Sequence, residues 1–158
     1  VIRNTSLLVQ IFIFFYVVAT AFNLQNRYLL GIFILATFSG AYVGEIIRAG
    51  LESIPANQID AGKSIGFSAF QIYIYITVPQ AIKRIIPGLA GQFVSLVKDS
   101  SLLYVIAVGE LTKSVQEVNS LNFNVIENYI WLALLYLLIT YPLSIVSVWI
   151  EKKFAYEE

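Results

Sequence analysis

Four apolar runs separated by short polar stretches set the pattern of this 158-residue chain: residues 7–22, 29–47, 85–97 (extendable through 102–108) and 129–150. A helix crossing a bilayer needs about 20 residues at 1.5 Å each, with ~17 as the usual lower limit. The last run clears that length and the second does so narrowly. The first is marginal, and the third reaches it only with its flanks. Backbone groups in hydrocarbon must be satisfied within the segment, so each run is predicted to be helical. A closed barrel is excluded because the residues do not alternate with a period of two. The expected fold is an all-α polytopic membrane protein with about four transmembrane helices.

The stretch between the second and third runs breaks this pattern. Pro55 suits a first helical turn, with Ser53 just ahead as its cap. A helix is predicted from about Ala56 to Ile65, stopped at Gly66, which tolerates a left-handed C′ position. Ser68-Ala-Phe-Gln71 then has the form of a capping box, so a second helix starts there. It is expected to end near Thr77, because Pro79 disfavours helical geometry in the residue before it. Residues 72–78 are β-branched and aromatic throughout, and propensity alone reads them as a strand. A lone strand beside lipid would leave its edges unpaired, so helix is the better reading.

Composition narrows the function classes. The chain is 58% hydrophobic and only 13% charged, with mean hydropathy +0.77, too few charges to cover a solvated surface. Formal net charge is zero, which offers no argument for nucleic acid. With no cysteine and no histidine, disulfides, Cys/His zinc sites and Ser-His or Cys-His catalytic pairs are excluded. No GxxxxGK[ST] loop is present, so the chain carries no phosphate-cradling ATP site of that kind. No basic n-region and cleavage site precede the first apolar run, and the first residue is Val. The chain is therefore expected to begin partway through a longer protein.

Charge placement orients the spans. If they alternate, one side holds Arg3, Arg48, Lys63, Lys83, Arg84, Lys152 and Lys153, and the other holds Arg27 and Lys113. The positive-inside rule makes the first group cytoplasmic, so residues 48–84 and the C-terminus are expected inside, with residues 23–27 and the loop 109–128 outside. Gly40-Ala-Tyr-Val-Gly44 and Gly91-Gln-Phe-Val-Ser95 are small-xxx-small motifs, read first as packing within this subunit and second as a dimer face. Tyr129, Trp131, Trp149 and Tyr156 stand where interface anchors are expected. Glu45 and Arg48, less than one turn apart, read as an interfacial ion pair, with a gate at the inner mouth as the alternative.

The polar segment resembles the cytoplasmic signature loop of permease subunits of ATP-binding-cassette importers. That pattern is Glu-Ala-Ala, three residues, Gly, nine residues, Ile, any residue, Leu-Pro. Here it reads Asp60-Ala61-Gly62, Gly66 and Ile76-Thr77-Val78-Pro79, every spacing kept. Asp replaces Glu, Gly62 replaces the second Ala and Val replaces Leu. Three further blocks are similar to the polar amino-acid uptake branch: residues 3–10 (with Ser6 where the branch usually has Pro), 39–50 and 92–102. The resemblance covers nearly the whole chain from Arg3. It implies a single transmembrane permease domain over residues 1–158, with five spans in the intact family and one of them missing here at the N-terminus. It also implies a coupling loop at 53–79. Residues 60–71 would dock on a separate ATPase, through Asp60, Ala61, Gly62, Ser64, Gly66 and the anchors Phe67 and Phe70.

Lys98-Asp99-Ser100-Ser101 interrupts apolar sequence on both sides. Ionisable residues at membrane depth are a functional hypothesis by default. Against that stands an interfacial reading, with Lys98 snorkelling and Asp99 as its counterion. Resemblance favours the first, because this block lies near the translocation path in the family. A zwitterionic amino acid needs a cation and an anion close together, so Lys98 would take its carboxylate and Asp99 its ammonium. Helical neighbours diverge, so the helix is expected to be broken or unwound at Asp99, with the serines satisfying freed backbone groups.

The resemblance thus implies a multi-pass permease of the bacterial cytoplasmic membrane, not an enzyme, importing polar amino acids by alternating access. It implies ATP and Mg on partner ATPase subunits, a second permease subunit in a homo- or heterodimer, and an extracytoplasmic amino-acid-binding protein. An ion-coupled secondary transporter would instead use Asp99 as an ion site and need no ATPase. A membrane scaffold would need no polar residues at mid-membrane.

Overall fold

The computed structural model describes residues 5–24 and 26–154. Arg3 and Tyr156, used above for orientation and anchoring, lie outside them. Six helical segments follow in order: α1 Leu7–Ala21, α2 Arg27–Glu52, α3 Ala56–Ser64, α4 Ala69–Ile106, α5 Leu111–Asn122 and α6 Val125–Phe154. Among the described residues there is no strand, so the strand reading of 72–78 is set aside. Helices α2, α4 and α6 are long and apolar enough to cross a membrane, and α1 is a shorter apolar helix.

The apolar runs underestimate the helices because capping, not hydropathy, decides their ends. The Asn26 side chain accepts from Tyr28 N–H at 3.0 Å and Leu29 N–H at 3.2 Å, satisfying donors that a bare helix start leaves orphaned. It therefore starts α2 two residues before the apolar run. At α3 the expectation is corrected. Pro55 is the extended N-cap (φ −61°, ψ 135°), with no side chain capping the helix. Ser53 instead turns back, its Oγ donating to Gly50 O at 2.7 Å at the end of α2.

Helix α4 is the axis of the fold, packing along both α2 and α6. It does not stop at Thr77. Tyr73–Thr77 forms a π-turn, and Val78 N–H reaches Tyr73 O before regular α-helix resumes over Val78–Asp99. The wider i→i+5 turn gives the ring of Pro79 room and absorbs its missing N–H, so the proline is carried without a break.

Antiparallel pairing of α2 and α4 can be read from three glycines. An added Cβ would meet Leu103 at Gly31, Ile85 at Gly50 and Ile46 at Gly88. The close seam is therefore Gly50 and Gly88, where the added atom would overlap Ile85 and lie 2.8 Å from Ile46. Gly40, Gly44 and Gly91 have nothing within 4 Å of a built Cβ. The expectation that those motifs pack within the subunit is thus overturned; their faces are open.

With Ala81 and Ile85 both level with Gly50, residues 69–80 of α4 run on past the end of α2, about 18 Å of helix at 1.5 Å per residue. Helix α3 packs against this overhang. The opposite end holds the main apolar cluster, where Leu7 and Ile11 of α1, Leu30, Ile34 and Phe38 of α2, and Leu103, Ile106 and Val108 meet. Ile11 and Ile34 are fully buried there. Glu45 and Arg48 form the expected ion pair on the surface of α2, and Glu52 joins it 3.7 Å from Arg48.

Candidate functional site

Local rules build the overhanging elbow. Helix α3 ends in a Schellman motif: Phe67 N–H bonds Gly62 O at 3.1 Å and Gly66 N–H bonds Lys63 O at 2.9 Å. Gly66 sits at φ +86°, where a side chain would be strained. Two residues on, Ser68 Oγ accepts from Gln71 N–H at 3.3 Å and Gln71 Oε1 from Ser68 N–H at 2.8 Å, the reciprocal capping box. Two consecutive caps fix the turn between α3 and α4 without a core of its own.

The elbow shows most of its predicted surface. Asp60, Ala61, Ser64, Gly66 and Phe70 are exposed, with Asp60 bonded to Lys63 at 2.9 Å. Phe67 is half-buried, its ring 6.4 Å from that of Tyr75. Gly62 differs from expectation. It is buried, and an added Cβ would lie 2.8 Å from Ile76 Cδ1 and 3.2 Å from Ile72 Cγ1. It serves close approach of α3 to α4 and offers no surface to a partner. Ile65, 71% exposed beside the 72% exposed Phe70, is an apolar side chain of this surface that sequence reasoning missed. Its exposure follows from its place as the C-cap residue, beyond the face that α3 packs on α4.

The second predicted group lies in α4. The helix is not unwound at Asp99; it tightens, passing from α-helix to a 3₁₀ turn over Ser100–Ile106. Ser100 Oγ donates to Val97 O at 2.7 Å, as expected of a serine beside a change of winding. Lys98 is exposed and Asp99 half-buried. Among the described residues neither forms an ion pair.

A third group escaped the sequence reading, which left 109–128 as a loop. Glu110 caps α5, accepting from Thr112 N–H at 2.8 Å and Lys113 N–H at 2.7 Å. The same carboxylate accepts from Tyr136 OH of α6 at 3.1 Å, and Thr112 Oγ1 lies 3.2 Å from that hydroxyl. The Ala107 carbonyl, ending the 3₁₀ turn in left-handed geometry, receives Arg27 Nη1 and Lys113 Nζ, each at 3.3 Å. Cations at a helix C-terminus are favourable. Leu111, Val115 and Val118, spaced three and four apart behind an acidic cap, are the signal that would have revealed α5. Glu110→Ala is expected to cost about 1–3 kcal/mol through the lost cap and the orphaned donors. Hydrogen exchange would show faster exchange at Thr112 and Lys113, with residues 78–98 still protected.

No group of three His, Cys, Asp or Glu residues able to hold a metal occurs among the described residues.

Comparison with known proteins places this geometry. The family described as "Binding-protein-dependent transport system inner membrane component" matches residues 1–156. The probable glutamine ABC transporter permease protein GlnM of Bacillus subtilis is 39% identical over 96% of this chain and 70% of its own length. The glutamine transport system permease protein GlnP of Escherichia coli is 34% identical over 97% of this chain and 71% of its own. A solved structure described as "Crystal structure of an amino acid ABC transporter with histidines" superposes with TM-score 0.89 at 33% identity. It covers 96% of this chain and 71% of that one.

Proposed function

The chain belongs to the family of binding-protein-dependent transport system inner membrane components, and on that premise we propose that it is the membrane permease subunit of an ATP-driven importer of polar amino acids. Its relatives are transport subunits rather than catalysts, and the substrate class follows from what those relatives are named for. The observation that carries the finer reading is the elbow. Residues 56–71 stand on the overhang of α4, doubly capped and presenting Asp60, Ala61, Ser64, Ile65, Gly66 and Phe70 outward.

In this reading residues 1–158 are one transmembrane permease domain, and residues 53–79 are its coupling loop, whose residues 60–71 dock on a separate ATPase that binds ATP and Mg. The basic end of the bundle, with Arg48, Lys63, Lys83, Arg84, Lys152 and Lys153, faces the cytoplasm of a bacterial cell. A second permease subunit completes the translocation path, and an extracytoplasmic binding protein delivers the amino acid to the opposite end. Closure of the ATPase subunits drives alternating access through the elbow. Lys98 takes the substrate carboxylate and Asp99 its ammonium, and among the described residues neither charge is spent on an ion pair.

Phe70→Asp places a charge in the centre of the docking surface and is expected to weaken retention of the ATPase by about 2 kcal/mol or more, roughly 30-fold. Pull-down of the ATPase with affinity-tagged permease measures it. Undiminished retention, or uptake in vesicles driven by an ion gradient without ATP, would remove this reading.

A further inference from the structure

Docking an ATPase on α3 moves the transmembrane helices only if α3 and α4 shift together. Between them lies a weak point, because Tyr73–Thr77 is π-wound and helices bend at such turns. The apolar contact of Gly62 with Ile72 and Ile76 reaches only to this turn, not past it.

Among the described residues two polar links start beyond it: Arg84 donates to the Ser53 carbonyl at the end of α2, and Gln80 reaches α3 itself. Gln80 Nε2 donates to Gln58 Oε1 of α3 at 2.5 Å and to Ile76 O at 3.1 Å. Gln80 Oε1 is buried and has no hydrogen-bond partner among the described residues. An orphaned buried acceptor is costly, and a leucine of similar size would avoid that cost. The amide is therefore worth its place only for what its N–H groups hold, which is α3 on one side and the backbone of the π-turn on the other.

We propose that Gln58 and Gln80 form a strut across the π-turn, positioning residues that make the docked α3 and the membrane-spanning part of α4 a single lever. This rests on the reading that α3 docks on an ATPase. Without the strut, displacement of α3 is taken up by bending at Tyr73–Thr77, and the transmembrane portion of α4 stays behind.

The test uses the intact transporter in proteoliposomes with its ATPase and binding protein. Gln80→Leu and, separately, Gln58→Leu are expected to keep ATPase retention and basal hydrolysis. Hydrolysis stimulated by the loaded binding protein, and uptake, should fall about tenfold, within the range of a coupling free energy. The paired substitution Gln58→Glu with Gln80→Lys rebuilds the link as an ion pair and should restore most of both. Leucine variants that keep stimulated uptake overturn the strut. Loss of the ATPase itself also overturns it, since the amides would then shape the docking surface rather than transmit its motion. A Glu–Lys pair no better than Gln80→Leu counts against it equally. If the unsubstituted protein retains no ATPase, the docking reading fails first and the strut falls with it.

Discussion

Gly50→Leu is expected to lower the thermal unfolding midpoint of the subunit in detergent by on the order of 5 °C, whereas Gly40→Leu raises it by about 2–4 °C. The contrast is geometric. A Cβ at Gly50 would overlap Ile85 Cγ1 and lie 3.0 Å from its Cδ1 and 3.5 Å from Ala81 O. Cγ1 is close to the backbone, so no rotation of a side-chain tip clears it, and α2 must move away from α4. Between membrane helices there is little hydrophobic drive to recover the contact, because lipid is as apolar as leucine, and packing itself holds the pair. Overpacking of this kind costs about 1–3 kcal/mol and occasionally more, only partly offset by the ~1 kcal/mol that leaving glycine gains in a helix. At Gly40 nothing lies within 4 Å. Equal loss at the two positions would mean that the α2–α4 seam does not run through Gly50.

Lys98→Ala and Asp99→Ala are expected to leave a complex that assembles and hydrolyses ATP but imports poorly, with uptake at low substrate reduced about 30-fold or more for each. That corresponds to at least ~2 kcal/mol for truncating one side of a desolvated charge pair. Both ionisable groups lie inside the long helix α4, where a charge is costly unless it has a use. Neither has an ion-pair partner among the described residues, so both remain available to a zwitterion. Uptake of labelled amino acid, measured alongside hydrolysis in the same proteoliposomes, separates failure to bind substrate from failure to assemble. Unchanged uptake in either variant would remove that residue from the substrate path.

The elbow was legible because its rules are local. Gly66 as a left-handed stop and Ser68 with Gln71 as a capping box each depend on residues within one turn, and both are realised. Pro79 was misread for the same reason. Its local effect is to end a helix, and only a π-turn, stabilised by neighbours packed around it, carries the chain past. Helix α5 went unseen because its apolar positions are few and its cap, Glu110, gains its third partner from Tyr136, 26 residues away.

The sequence by itself determined that this is an all-α membrane protein, roughly where its spans lie and where the elbow turns. Hydropathy, caps and glycine conformations are properties of a chain segment. Which small residues touch was left to the tertiary structure. Gly40 and Gly44 form the recognisable motif, yet Gly50 and Gly88, which belong to none, carry the close contact. A missing side chain permits approach on whichever face a neighbour comes to, and that face is chosen by the packing of whole helices. The same holds for Gly62, turned inward against Ile72 and Ile76, and for Gln58 and Gln80, meeting across 22 residues.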